Sequence, residues 1–136
     1  MYALHHPELF SSACPLSAYL GPQSVDELAQ LMQRMGLEVG SKEEMETWYK
    51  RHSAVELINA IDTEALKTNR QNQVRWYIDC GDDDFLYEGN SLAHIAMRKK
   101  EIPHEFRIRN GGHTWTYWRE SLPVVLSFVS DAFHQH

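Results

Sequence analysis

Between residues 74 and 113 the sequence sets out a strand, an acidic loop, a helix, a second strand and a Gly-Gly-His loop, an order that few folds accommodate. Residues 74–80 are rich in strand formers and stop at Gly81, followed by Asp82, Asp83 and Asp84. Residues 88–100 carry Leu92, Ile95, Ala96 and Met97 at helical spacing, and Ile102 and Pro103 end that helix. Residues 105–109 alternate polar side chains with Phe106 and Ile108, as a half-exposed strand near a sheet edge does. Asn110, Gly111 and Gly112 then break the strand. Two strands joined by one helix make a βαβ unit, whose right-handed crossover sets the strands parallel. The loops after both strands therefore emerge at the same sheet edge. The expected fold class is α/β, with about three parallel strands and helices on their faces.

Three Ser-x-x-Glu signatures punctuate the first half, each pairing a serine with a glutamate that satisfies the free amides of a helix start. Ser24 with Glu27 opens a helix whose Val25, Leu28, Leu31, Met32 and Met35 share a face that ends at Gly36. Ser41 with Glu44 opens a second, placing Met45, Trp48 and Tyr49 together, and Ser53 with Glu56 opens a third, with Leu57, Ile58 and Ile61. Residues 67–73 read as a polar connector. These helices make residues 22–70 a helical stretch. Residues 11–18 are a weaker strand candidate, because Pro15 cannot donate to a sheet ladder. From Trp118 onward, Leu122, Val125, Val129 and Phe133 line one face of a closing helix.

A chain of 136 residues has room for one domain, so 1–136 is expected to be a single unit. Its 43% hydrophobic and 24% charged residues lie near globular averages. Thirteen basic and nineteen acidic residues give a formal charge of −6 with no basic stripe, which argues against nucleic acid as a partner. No run approaches the roughly twenty apolar residues of a membrane span, and the first residues lack the order of a signal peptide. Two cysteines, Cys14 and Cys80, are too few for a disulfide framework or a cysteine-rich zinc site. They leave cytoplasmic and secreted locations equally open.

Chemistry in a parallel sheet gathers at the carboxyl ends of the strands, and the two loops that meet there carry a carboxylate and an imidazole. Neighbouring strands lie roughly 4.8 Å apart, close enough for Asp84 to reach His113. A carboxylate on one imidazole nitrogen fixes the tautomer and stabilises the imidazolium, as a general base requires. The third member should be a serine on a sharp Gly-x-Ser-x-Gly turn, and that pattern is absent. Ser91, within Gly89-Asn90-Ser91-Leu92-Ala93, comes nearest but has no strand leading into it. Cys14 lies beside Pro15 in the strand candidate and reads as a small buried hydrophobe. Asp82 and Asp83 read as solvated loop residues, since Leu86 falls on a ligand position of a calcium loop and no glycine follows. The other histidines show no metal-binding face with a carboxylate, so neither a metal nor another cofactor is expected. Trp115, Tyr117 and Trp118 admit two readings, as lining of a pocket for an acyl or aromatic group and as core.

The chain resembles the C-terminal half of the putative esterase family of α/β-hydrolases, which includes S-formylglutathione hydrolases, tributyrin-type esterases and feruloyl esterases. Ala3-Leu4-His5-His6-Pro7-Glu8-Leu9-Phe10-Ser11 resembles the helix end that follows the family's nucleophile elbow, and Leu16-Ser17-Ala18 the strand end after it. Tyr77-Ile78-Asp79-Cys80-Gly81-Asp82-Asp83-Asp84-Phe85-Leu86 is similar to the acidic segment, and Asn110-Gly111-Gly112-His113-Thr114-Trp115 with Trp118 to the histidine segment. By the same resemblance the helical stretch over about 22–70 corresponds to the family's variable helical insertion. By this resemblance Asp84 and His113 are catalytic, within triad segments spanning 74–118. Trp115 and Trp118 then border the substrate pocket. The resemblance places the serine about two helical turns before Met1, so the chain is expected to be truncated after the elbow, with no nucleophile of its own. A whole domain of this class takes roughly 250 residues. The implied reaction is hydrolysis of small-molecule or carbohydrate-linked acyl esters, such as acetyl or feruloyl esters, through an acyl-enzyme. Thioester hydrolysis and an inactive binding or assembly product are the alternatives. The fragment alone is expected to form a homo-oligomer, because a strand from the middle of a sheet would lie open.

Overall fold

A computed structural model describes residues 1–69 and 73–134. Its centre is a parallel sheet of β1 (Ser12–Ala13), β2 (Arg75–Gly81) and β3 (His104–Arg109), in the order β1-β2-β3. Residues of β2 and β3 pair in register from Trp76 with His104 to Gly81 with Arg109. The crossover between them is α6 (Tyr87–Lys99). Because side chains alternate across a strand, β2 feeds two cores. Ile78 packs on one face with Ile58, Ala93, Ala96, Met97 and Ile102, while Tyr77 packs on the other with Val125 and Phe128 of α7 (Trp115–Phe133). The result is a sheet sandwiched between helices, the α/β layering that the sequence implies.

The first strand is shorter than residues 11–18. Pro15 has no amide to give, and Ser17 takes a left-handed φ of 46°. Pairing beyond β1 continues only as an isolated bridge of Leu16 with Asp79, through Asp79 N–H to Pro15 O and Ser17 N–H to Asp79 O.

All three serines cap helices, α2 (Val25–Arg34), α3 (Lys42–His52) and α4 (Ala54–Asn59). Only Ser41 with Glu44 completes a reciprocal box. Glu27 instead accepts from the Gln23 amide, and Glu56 from the Tyr49 hydroxyl. A further short helix, α5 (Thr63–Thr68), begins where the Asp62 carboxylate accepts from the Glu64 and Ala65 amides. It replaces the start of the expected connector at 67–73, of which residues 70–72 lie outside the described residues. The apolar face expected on α2 is thinner than its sequence suggests: Leu28 is buried and Met35 is exposed.

The closing helix starts earlier than expected and buries a partly different stripe, with Val125 and Val129 on the core as expected. Tyr117, Ser121, Val125 and Phe128 face the sheet, whereas Leu122 and Phe133 are exposed. Ser121 reads as polar, yet it is fully buried because its hydroxyl donates to Tyr117 O and accepts from Arg109. Val125 and Val129 keep the expected face, and Ser121 takes the buried place expected of Leu122.

Candidate active site

The acidic loop turns immediately after β2. Asp84 N–H closes a turn on Gly81 O, and Asp84 O accepts from Tyr87 N–H as α6 begins. The Asp84 side chain folds back so that Oδ1 accepts from the Leu86 amide at 2.9 Å, an Asx-type turn that fixes the carboxylate from its own backbone. Asp84 is 1% exposed, whereas Asp82 and Asp83 face solvent.

The glycine loop lies against it. Asp82 N–H donates to Arg109 O and Asp83 N–H to Gly111 O, both at 3.0 Å, and Gly111 N–H donates to Asp82 Oδ1 at 2.9 Å. This approach needs glycine on both sides. A Cβ on Gly81 would lie 2.0 Å from Gly111 O, and Gly111 itself has φ +142°. Thr114 then caps α7, its hydroxyl accepting from Tyr117 N–H.

Between these elements His113 Nδ1 lies 2.9 Å from Asp84 Oδ2. The carboxylate accepts, so Nδ1 is the donor nitrogen, and in the neutral ring Nε2 presents a lone pair. The His113 side chain is 35% exposed, with Trp118 edge-on at 4.8 Å and Phe85 tilted at 4.9 Å. Burial pushes the Asp84 carboxyl up. The Leu86 amide, the nearby Ser17 hydroxyl and His113 together outweigh it and hold the group below the ordinary carboxylate value. An ionised carboxylate behind an imidazole with a free nitrogen can orient and stabilise an imidazolium as it takes a proton.

The structure thus brings Asp84 and His113 together. Trp118 packs on His113 with its indole N–H buried and without a protein partner among the described residues, and the 71%-exposed Trp115 packs edge-on to Trp118 at 5.2 Å. Tyr117 is core: it is 4% exposed and donates its hydroxyl to Asp79. Among the described residues no serine, threonine or cysteine is hydrogen-bonded to His113. Ser91 lies within α6, and Cys14 packs against the Tyr77 cluster, its thiol pushed up by burial. Cys80 is fully buried, and burial together with Asp84 pushes its thiol up to about 11. Arg75 lies near Cys14 but burial outweighs it, and Cys80 is buried beside a carboxylate, so both thiols are held above the ordinary value rather than activated as nucleophiles. Among the described residues no group of three or more His, Cys, Asp and Glu converges as a metal site.

The sequence reading missed a second buried carboxylate, Asp79, which gathers Tyr77, Tyr117 and Arg109. An aspartate among the apolar residues Trp76 to Cys80 was the available signal, since a buried charge requires partners.

A family model described as Putative esterase matches residues 1–129. A solved ferulic acid esterase is similar with a TM-score of 0.69 at 30% identity, over 96% of this chain and 45% of that one. The Staphylococcus aureus fluorophosphonate-binding serine hydrolase F shares the fold at a TM-score of 0.61 and 24% identity, over 93% of this chain and 47% of that one. An acetyl esterase of Caldicellulosiruptor saccharolyticus is 29% identical over 73 residues, 54% of this chain and 27% of that protein. The chain spans less than half the length of each of these relatives. By its family match and its parallel sheet, the chain belongs to the putative esterase family of α/β-hydrolases.

Proposed function

We propose that this chain carries the acid–base half of a serine carboxylesterase that hydrolyses acyl esters, with carbohydrate-linked acetyl or feruloyl esters as the substrate class. The observation that carries the reading is the 2.9 Å contact of His113 Nδ1 with the buried Asp84. The names of the acetyl and ferulic acid esterases to which the chain is similar support the substrate class.

In this reading the nucleophilic serine and the oxyanion donors come from sequence outside these residues. The serine hydroxyl gives its proton to His113 Nε2 as its oxygen attacks the ester carbonyl. Asp84 holds the imidazole in the tautomer that can accept that proton and stabilises the imidazolium. The tetrahedral intermediate collapses, the alcohol departs with the proton from His113, and the acyl group stays on the serine. Water then attacks the acyl-enzyme, passing its proton to His113, and the second collapse releases the acid and restores the serine. Trp115 and Trp118 border the acyl side of the site, where aromatic faces suit a planar or small acyl group.

The test joins this chain to an upstream segment bearing Gly-x-Ser-x-Gly and measures hydrolysis of p-nitrophenyl acetate. His113→Ala should lower the rate by roughly three orders of magnitude or more, with the far-UV spectrum unchanged. A rate that survives the substitution contradicts the reading.

A further inference from the structure

Asp79 is 0% exposed and points to the α7 side of the sheet, where four groups converge. Tyr77 OH donates to Oδ2 at 3.0 Å, Tyr117 OH donates to Oδ1, and Arg109 Nη2 donates to Oδ2 at 2.7 Å. Arg109 also donates to Ser121, and its guanidinium lies 5.2 Å from the Tyr117 ring centre. Stability alone does not explain a fully buried carboxylate paired with a half-exposed guanidinium, because apolar residues of similar shape often serve as well or better. The positions of its partners are more informative. Arg109 is the last residue of β3 and Tyr117 lies in the first turn of α7, so the two bracket segment 110–116, which holds His113.

We propose that Asp79 is a positioning residue whose single carboxylate clasps both ends of that segment, through Arg109 and Tyr117, and so sets where His113 stands over Asp84. The proposal rests on the reading of Asp84 and His113 as an acid–base pair. Anchoring both ends of a segment removes much of its freedom, and a general base must be held close to its productive position. The anchor reaches the imidazole by contact. The Tyr117 ring fills the space beneath Gly111, where a Cβ would meet its Cδ2 at 2.7 Å, and the next residue, Trp118, packs edge-on against His113 at 4.8 Å. Burial, then Asp79, pushes the Tyr117 hydroxyl up, and the same causes push Tyr77 up to about 12. Both hydroxyls therefore stay protonated donors at neutral pH.

The two tyrosines supply the control. Each gives one hydroxyl to the same carboxylate, but only Tyr117 adjoins the histidine loop. In the chain as it stands, imidazole nitrogen NMR shifts report the His113 tautomer, and thermal melting reports stability. Tyr117→Phe and Tyr77→Phe should lower the melting temperature by similar amounts. Only Tyr117→Phe should move His113 from the Nδ1-protonated form toward a mixture of tautomers, and Arg109→Gln, at the other end of the segment, should do the same. In the chain joined to the nucleophile segment, Tyr117→Phe should lower kcat on the order of tenfold with KM within about twofold. Equal tautomer shifts for the two tyrosine variants, or none for either Tyr117→Phe or Arg109→Gln, overturn the proposal. A wild-type His113 that is not Nδ1-protonated overturns the acid–base reading and the proposal with it, whereas an Nδ1-protonated wild type insensitive to Tyr117→Phe overturns the proposal alone.

Discussion

The Asp82 carboxylate accepts a hydrogen bond from the Gly111 amide at 2.9 Å, which locks the acidic loop to the glycine loop beside the Asp84–His113 pair. Three consecutive aspartates therefore differ in what they do. Asp82 holds the neighbouring loop with its side chain, Asp83 does so with its backbone amide alone, and Asp84 meets the imidazole. In the chain joined to a nucleophile segment, Asp84→Asn should cost roughly three to four orders of magnitude in kcat. Asp82→Ala should cost far less, and Asp83→Asn should leave activity near wild type. A severe Asp83→Asn with a mild Asp84→Asn would shift the assignment by one residue.

The close approach of the two loops sets a second expectation. At Gly81 an added methyl would collide with backbone, 2.0 Å from Gly111 O, whereas at Gly112 the nearest atom is Asp83 O at 3.7 Å. Gly81→Ala should destabilise by about 1–3 kcal/mol or more and shift the His113 resonances. Gly112→Ala should melt close to wild type. Thermal unfolding of both variants decides this.

The Asp84 carboxyl titrates below its ordinary value in the folded chain, because the Leu86 amide, Ser17 and His113 outweigh the effect of burial. A depressed folded value means that ionised Asp84 stabilises the fold fully above the ordinary carboxylate range, near pH 4. That contribution is lost as the pH falls through the lower folded value. The difference in melting temperature between wild type and Asp84→Asn should shrink as the pH falls below about 4. A difference that keeps growing below about pH 4 contradicts the assignment.

The α/β class, the βαβ unit and the Asp84–His113 pair were legible because each is written locally. A strand, a stop and a loop fall in consecutive residues, and the crossover rule supplies the juxtaposition. What escaped is carried by contacts between residues far apart in sequence. Asp79 finds Arg109 thirty residues on and Tyr117 thirty-eight on, and no spacing rule connects them. Ser121 misled the periodicity of α7, because its buried hydroxyl is satisfied by the helix itself and by Arg109. The short β1 follows from Pro15 and the left-handed Ser17; the proline was visible, and the turn after it was not. The α5 helix announced itself only through Asp62, a single capping carboxylate ahead of a six-residue element.

The outer face of α7 and the first residues of the chain expose apolar side chains, among them Leu126 at 59%, Phe133 at 68%, Leu9 at 72% and Tyr2 at 78%. Among the described residues β1 pairs on one side only. An unpaired edge beside apolar surface favours association. Light scattering on the chain alone at tens of micromolar should show dimers or larger species. A monodisperse, cooperatively melting monomer contradicts this.

In the proposed mechanism Asp84 acts through His113, and a double-mutant cycle on kcat/KM in the chain joined to a nucleophile segment tests this directly. If the carboxylate works only by orienting and stabilising the imidazole, the Asp84→Asn, His113→Ala double variant should be no slower than His113→Ala alone, within about threefold. Losses that multiply, so that the double variant falls by the product of the two single effects, would show that the two residues act independently and that Asp84 does not work through His113.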